Sequence, residues 1–318
     1  MLVYIKPLSM FPNLHSDRLF GAFLSAISEI FPDTSYLEDI VKDFKNHNPP
    51  FLVSSAFPSI NLDDKNNIRF FPKLILDKKS SKNFHPDILK DFKKVSYFEE
   101  SIFIELIQGN LTEEEILENY DENYKRVHNL LMKKNHKVNI KIKNVIRPSN
   151  AINRLNNETK IFYSDGIRYG DNIELFFFVE FFNKDYETVI KSALKFLKDR
   201  GFGKDIYTGK GHFEYRIKDL SVNELLNNDD GDRFITLSRF IPDIDLDIDK
   251  FDDSVSYELD FKRSRDKSGE VRKQVRFFKE GSTFNRYSNN YGCIVESGKN
   301  YPAYEYGYAF PVNYTQGD

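Results

Sequence analysis

The chain has 318 residues, 40% of them hydrophobic, and a formal net charge of −3. That is long enough for two domains with a substantial core, and it excludes both a disordered chain and a globally basic polyelectrolyte, so a nucleic-acid site has to be a local patch. One cysteine, Cys293, and six scattered histidines exclude an internal disulfide and argue against a structural zinc site, which fits a reducing cytoplasm. Residues 1–6 carry no signal-peptide pattern, and no apolar run approaches a membrane span, so no membrane partner is expected.

In chain order, residues 2–5 read as a strand. Ser16 is placed to cap a helix over 17–30, whose Leu19, Phe20, Phe23, Leu24, Ile27 and Ile30 recur at helical spacing before Pro32 ends it. Residues 46–80, with four prolines, read as loop-rich. Thr112 and Glu115 form a capping box that predicts a helix running to about residue 134. Residues 133–147 then hold bases and no acid. Val138, Ile140 and Ile142 alternate with Asn139, Lys141 and Lys143, the pattern of a half-exposed strand with a basic face.

Residues 173–182 are almost continuously apolar and predict a buried central strand. A helix follows over 186–200, with Val189, Ile190, Ala193, Leu194 and Leu197 as its stripe. It runs into the segment 201–211, where Gly201, Gly203, Gly209 and Gly211 surround Lys204, Tyr207 and Lys210, and a strand over 212–217 comes next. The Walker A and dinucleotide spacings both fail here, and the order helix, loop, strand is the reverse of a nucleotide-binding loop, so no cofactor is expected. The segment is either an ordinary turn or a polyanion loop, with glycine amides at phosphates, the two lysines as counter-charges and Tyr207 stacked on a base. The order strand, helix, insertion, strand, helix, glycine loop, strand fits an α+β, ferredoxin-like unit over 1–216 with a large insertion at about 60–145.

From 217 to 318 strand patterns dominate and predict a second, β-rich domain. Asp243, Asp245, Asp247 and Asp249 lie in an acid-rich stretch. They lack the glycine and glutamate of a calcium loop and read as a solvated loop or a contact for a basic partner. The base-rich segment 262–276 contains Lys262, Arg263 and Arg265 and reads as a hairpin turning at 266–269, suited to a phosphate backbone or simply solvated. The tyrosines of 301–308 define a strand with one aromatic face, for packing or for bases.

Residues 14–22, 50–58, 70–73, Asn153 and Arg154 with 161–163, the loop 199–213 and 280–284 follow one another as they do in a known family. On these the chain resembles the repeat-associated mysterious proteins (RAMPs) of CRISPR effector complexes, and within them the fourth-subunit family of type III-A Csm complexes. The resemblance implies two ferredoxin-like, RRM-related domains and a thumb inserted within about 60–145. It implies a non-catalytic, RNA-binding subunit of a heteromeric antiviral complex. Such a subunit holds the 5′ handle of the CRISPR RNA (crRNA) and bridges a large polymerase/cyclase-like subunit to a repeating RAMP backbone subunit. On this reading the RNA site comprises His15 and Ser16 at a helix N-terminus, Arg147, Asn150 and Arg154, the glycine loop and the basic hairpin. From the residues alone, His15 and Ser16 also fit a plain helix cap and Arg154 a surface ion pair. Two other functions remain open: a RAMP endoribonuclease that cuts repeat RNA with His15, Lys210 and Tyr207, and a protein-only scaffold.

Overall fold

The computed structural model describes residues 1–63, 66–76, 84–203, 206–228, 231–252, 255–265, 269–299 and 303–315. The first half opens with β1 (Leu2–Pro7), α1 (Ser16–Ile30) and α2 (Tyr36–Lys45). The strands β2 (Phe51–Val53), β3 (Phe57–Asn61) and β4 (Asn67–Pro72) follow, then α3 (Pro86–Phe92), β5 (Tyr97–Glu99), α4 (Glu100–Ile107), α5 (Glu113–Glu118) and α6 (Tyr120–Asn123). The hairpin β6 (Tyr124–Val127) and β7 (Leu130–Lys133) leads to β8 (Ile142–Ile152) and β9 (Thr159–Tyr169). The half closes with β10 (Ile173–Phe181), α7 (Asp185–Arg200) and β11 (Phe213–Lys218).

These elements build one large mixed sheet in an α+β arrangement, in the order β11-β1-β10-β3-β4-β5-β7-β6, with β2 also on β10. The β5–β7 pair is parallel and its neighbours are antiparallel. β10 is central, and its two faces explain its unbroken apolar sequence: Phe177 meets Phe23 of α1, whereas Phe176 and Phe178 meet Phe71 and Phe310 on the opposite side. Residues 67–133 add β4, β5, β7 and β6 to the edge of this same sheet.

The second half contains α8 (Val222–Leu226), β12 (Arg233–Thr236), β13 (Leu259–Lys262), β14 (Val275–Phe278), β15 (Thr283–Asn285), β16 (Ile294–Glu296), β17 (Tyr304–Tyr306) and β18 (Pro311–Tyr314). They form small antiparallel sheets, β15-β12-β18, β13-β14 and β16-β17. The tyrosine run packs inward: Tyr306 and Tyr308 are buried, the first accepting from the Val53 amide at 3.1 Å and the second donating to the Phe44 carbonyl at 2.7 Å. Asp247 is buried too, accepting from the amides of Asp243 and Gly292 and from the Tyr287 hydroxyl. The aspartate cluster therefore organises its own loop.

Several expectations are corrected. The Thr112–Glu115 capping box is present, but the helix ends at Glu118, and 124–133 is a hairpin. Leu130, Leu131 and Met132 are fully buried in that hairpin, and pairing with β5 and β6 overrides local helix preference. Pro58 and Pro72 lie within β3 and β4 rather than in a loop, whereas Pro49 and Pro50 sit in the loop before β2. The basic strand starts at Ile142, not Val138, because Ile140 turns into a buried cluster with Ile60 and Phe70. His15, not Ser16, is the N-cap residue of α1, and its own side chain makes no capping hydrogen bond.

The glycine loop shows a real need for glycine. Gly211 has φ +74°, and a Cβ there would lie 1.8 Å from the Phe202 carbonyl oxygen, whereas at Gly209, φ +78°, it would meet nothing within 4 Å. Gly211→Ala is expected to cost about 3 kcal/mol from backbone strain plus the clash, and Gly209→Ala about 1 kcal/mol from strain alone. Chemical denaturation of the two variants checks the ranking, and equal losses would contradict it.

Candidate nucleic-acid interface

α7 ends where Gly201 turns to φ +95°, and Phe202 is driven into the core against Phe11 and Phe213 at centroid separations of 5.8 and 4.9 Å. The loop is braced by its own amides. Gly201 donates to the Leu197 carbonyl, Phe202 to Gly211, Gly209 to Ile206 and Gly211 to Met10, at 2.6–3.0 Å. Three of the four glycine amides expected at phosphates are thus engaged inside the protein. Lys210 is buried, and its ammonium donates to the Ser164 hydroxyl of β9. Tyr207 is 91% exposed at the loop's outer edge. Gly203, φ +104°, ends the described part of this turn, and Lys204 lies outside the described residues.

Lys210 ties the loop to a two-stranded ribbon. β8 and β9 pair antiparallel from Ile142↔Tyr169 to Ile152↔Thr159, and the ribbon is joined to the loop before α1 by mutual bonds of 2.8 Å between Phe11 and Ile167. Side chains alternate between its faces, so the register sorts them. One face carries Lys143 with Arg168, Arg147 with Ser164, and Lys160 with Ala151. All four bases are exposed, and no acidic side chain lies within ion-pair distance of them among the described residues. They recur every four positions of register, about 13 Å apart along the ribbon. The other face is apolar and exposed, with Ile146, Ile152, Ile161 and Tyr163 between 58% and 70% accessible, and Asn150 lies on it. Arg154 and Leu155 occupy the exposed tip, where Asn157 adopts φ +57°.

The start of α1 is a different kind of site. Ser16 is fully buried, its amide donating to the Ser55 hydroxyl and its own hydroxyl accepting from the Arg239 amide. His15 Nδ1 lies 2.8 Å from Glu280 Oε1, to which the Ser55 hydroxyl also donates. Asp17, with no side-chain exposure, accepts from Lys262 and faces Arg239 at 3.5 Å. Lys262 also bonds Glu305 at 2.6 Å, and Arg239 bonds Asp260 at 2.7 Å. The first turn of α1 is thus the seam between the two halves of the chain, and His15, Ser16 and Lys262 are held within it. Arg263 and Arg265 stay exposed, with Arg265 donating to the Gly269 carbonyl at 2.8 Å.

Burial alone would raise the Glu280 carboxyl. The neighbouring His15 ring, the bonds from His15 and Ser55, and Arg239 behind them outweigh it and bring Glu280 down to about 2. Among the described residues no group of three or more His, Cys, Asp or Glu side chains is arranged to hold a metal ion.

The structure therefore brings Arg147, Lys210, Gly211 and the base of the ribbon together, and separates off His15, Ser16 and Lys262. Sequence reasoning overlooked Lys160, Arg168 and the ribbon partner β9. The only available signal was base-bearing alternation on both sides of Asn153.

No protein-family model matches the sequence, and no curated protein matches it. Solved structures do. A chain in the crystal structure of the Csm3-Csm4 subcomplex of the type III-A CRISPR-Cas interference complex is 19% identical, with TM-score 0.69 over 98% of this chain and 99% of that one. Chains in the Csm1-Csm4 cassette bound to cA4 and to pppApA are each 19% identical, with TM-scores of 0.56 and 0.58 over all of this chain and 99% of each.

Glu280 supplies a pH test. Its ordinary value is 4.5 and its folded value about 2, so its contribution is complete above 4.5 and is lost as pH falls from 4.5 toward 2. A shift of that size corresponds to about 3 kcal/mol. Glu280→Gln is expected to flatten the acid limb of stability against pH, and His15→Ala to destabilise at pH 7 by about 1–3 kcal/mol, because the largely buried carboxylate then keeps only the Ser55 donor. Urea titrations at a series of pH values measure both, and an unchanged acid limb in Glu280→Gln would contradict the assignment. The fold of this chain, a large mixed sheet with a β-rich second half, is the fold of the matched chains in those Csm3-Csm4 and Csm1-Csm4 structures.

Proposed function

We propose that this chain is a non-catalytic RNA-binding RAMP subunit of a type III-A CRISPR interference complex, cytoplasmic and acting in antiviral defence. It holds the 5′ handle of the crRNA and bridges a large polymerase/cyclase-like subunit to the repeating backbone subunit. The observation that carries the RNA reading is the basic face of the β8–β9 ribbon, where Lys143, Arg147, Lys160 and Arg168 are exposed and lack acidic partners among the described residues. Exposed cations in a regular row, on a strand pair projecting its side chains one way, suit a nucleic-acid backbone. Exposed Tyr207 and the tip Arg154 lie on connected elements and suit stacking and contacts to splayed bases. The structural neighbours carry the partner reading, because Csm4 is paired with Csm3 in one and with Csm1 in the others.

In architecture, we read the order β11-β1-β10-β3 with α1 and α7 as a ferredoxin-like unit. Residues 67–133 extend its sheet, and we read the β8–β9 ribbon, rather than the segment 60–145 expected from the sequence, as the projecting thumb. The second half is the companion module. Catalysis is not assigned, because His15 is committed to Glu280 and Lys210 to the ribbon.

The test is binding of RNA bearing the repeat-derived 5′ handle against the same RNA with the handle scrambled, each followed on a denaturing gel. Preference for the true handle with intact RNA is expected. Equal binding would leave only a scaffold with generic affinity, and cut RNA would favour the endoribonuclease. Replacing Lys143, Arg147, Lys160 and Arg168 together by alanine should lower the slope of log K against log salt by about 3, at about 0.7 per single-strand contact. Unchanged affinity and slope would remove the ribbon from the site.

A further inference from the structure

A concavity opens on the α1–α2 face. It is an open groove of about 700 Å³ between α1, α2 and the start of β17. Its walls are aliphatic, with Leu24 of α1 facing Leu37 and Val41 of α2, and Tyr304 closes one end. All four are only partly covered. On the α1 side lies Gly21, inside the helix. Glycine is the least favourable residue short of proline in a helix interior. A Cβ at Gly21 would meet nothing within 4 Å, so nothing inside the described chain excludes alanine there. What a missing side chain provides at that point is close approach to the α1 backbone from outside.

The charge around the groove selects the occupant. Lys42, Lys45 and Arg272 line it, against a single acid, Glu38. Lys42 forms no ion pair among the described residues, and Arg272, whose Nη1 lies 3.4 Å from Glu305 Oε1, keeps a buried Nε with no hydrogen-bond partner there. The groove therefore offers aliphatic walls beside a cationic rim. RNA fits it poorly. The one aromatic lining residue is Tyr304, whose ring is already covered by the Lys45 ammonium at 4.6 Å, so there is no stacking platform. A second copy of the chain fits poorly too, since a two-fold contact would set one cationic rim against another.

We propose that this groove docks an amphipathic helix of a protein partner, one whose apolar stripe packs over Gly21 between α1 and α2 and whose flanking carboxylates meet Lys42, Lys45 and Arg272. The inference stands independently of the RNA reading, because none of these residues belongs to the ribbon or to the glycine loop.

The test uses three fluorescein-labelled probes on the full chain. They are a synthetic helical peptide with a leucine and alanine stripe and glutamate flanks, the same peptide with lysine flanks, and an oligouridylate. Fluorescence anisotropy should show the glutamate peptide binding at least tenfold more tightly than the lysine peptide. Gly21→Leu, which fills open space, should weaken that binding at least tenfold with no fall in unfolding temperature. The double variant Lys42→Glu and Lys45→Glu, at exposed positions, should reverse the preference between peptides. No peptide binding, equal binding of the two peptides, undiminished binding by Gly21→Leu, or oligouridylate competing with the peptide would each overturn the proposal.

Discussion

A carboxylate with no access to water holds the two halves of this protein together. Asp17, in the first turn of α1, is compensated by Lys262 and Arg239, which come from the other half of the chain. Leaving such a charge unpaired costs several kcal/mol, so the second half has to be in place for the first to keep its own helix start satisfied. The neighbouring residues repeat the logic. His15 turns to Glu280, and Ser16 gives a hydrogen bond to Ser55 of its own half and takes one from the Arg239 amide across the seam. An exposed helix N-terminus attracts any anion, whereas this one is closed by carboxylate, hydroxyl and backbone groups of the chain itself.

With that end closed, the surface left for a polyanion lies elsewhere. The ribbon projects from the sheet between β7 and β10, anchored by the Phe11–Ile167 bonds and by Lys210 on Ser164. The glycine loop acts as a brace. Its glycines permit the tight turn that buries Phe202 and brings Lys210 onto β9. Rigidity at the base and exposed bases along one face are what the proposed contact with an RNA backbone requires. Anchoring matters because an unattached two-stranded ribbon is only marginally stable in water.

The parts of the fold that were legible in the sequence are those whose signal is local. β1, α1, β10, α7 and β11 each carry a clean periodicity, and β10 announces its double burial by an unbroken apolar run. The hairpin β6–β7 was not legible, because its apolar residues suit a helix as well as a strand and only the parallel neighbour β5 decides between them. The ribbon was half legible. Lys143 and Arg147 were visible and Lys160 and Arg168 were not, because neither face of β9 is buried and the alternation that marks an ordinary strand is missing there. The seam was hidden entirely: Ser16 and Arg239 are 223 residues apart, and nothing local distinguishes a serine that caps a helix from one that receives a distant amide. For that reason His15 and Ser16 read as an anion site, and Lys262 as a phosphate contact, when all three serve the packing of the two halves.

The central claim is that the crRNA handle lies along β8 and β9. The most direct measurement is photo-crosslinking of handle RNA carrying 4-thiouridine, followed by mass spectrometry of the attached peptides. Crosslinks concentrated within 142–169 and at Tyr207 are predicted. Crosslinks confined to the α1 seam or to the β13–β14 hairpin, with none on the ribbon, would contradict the account.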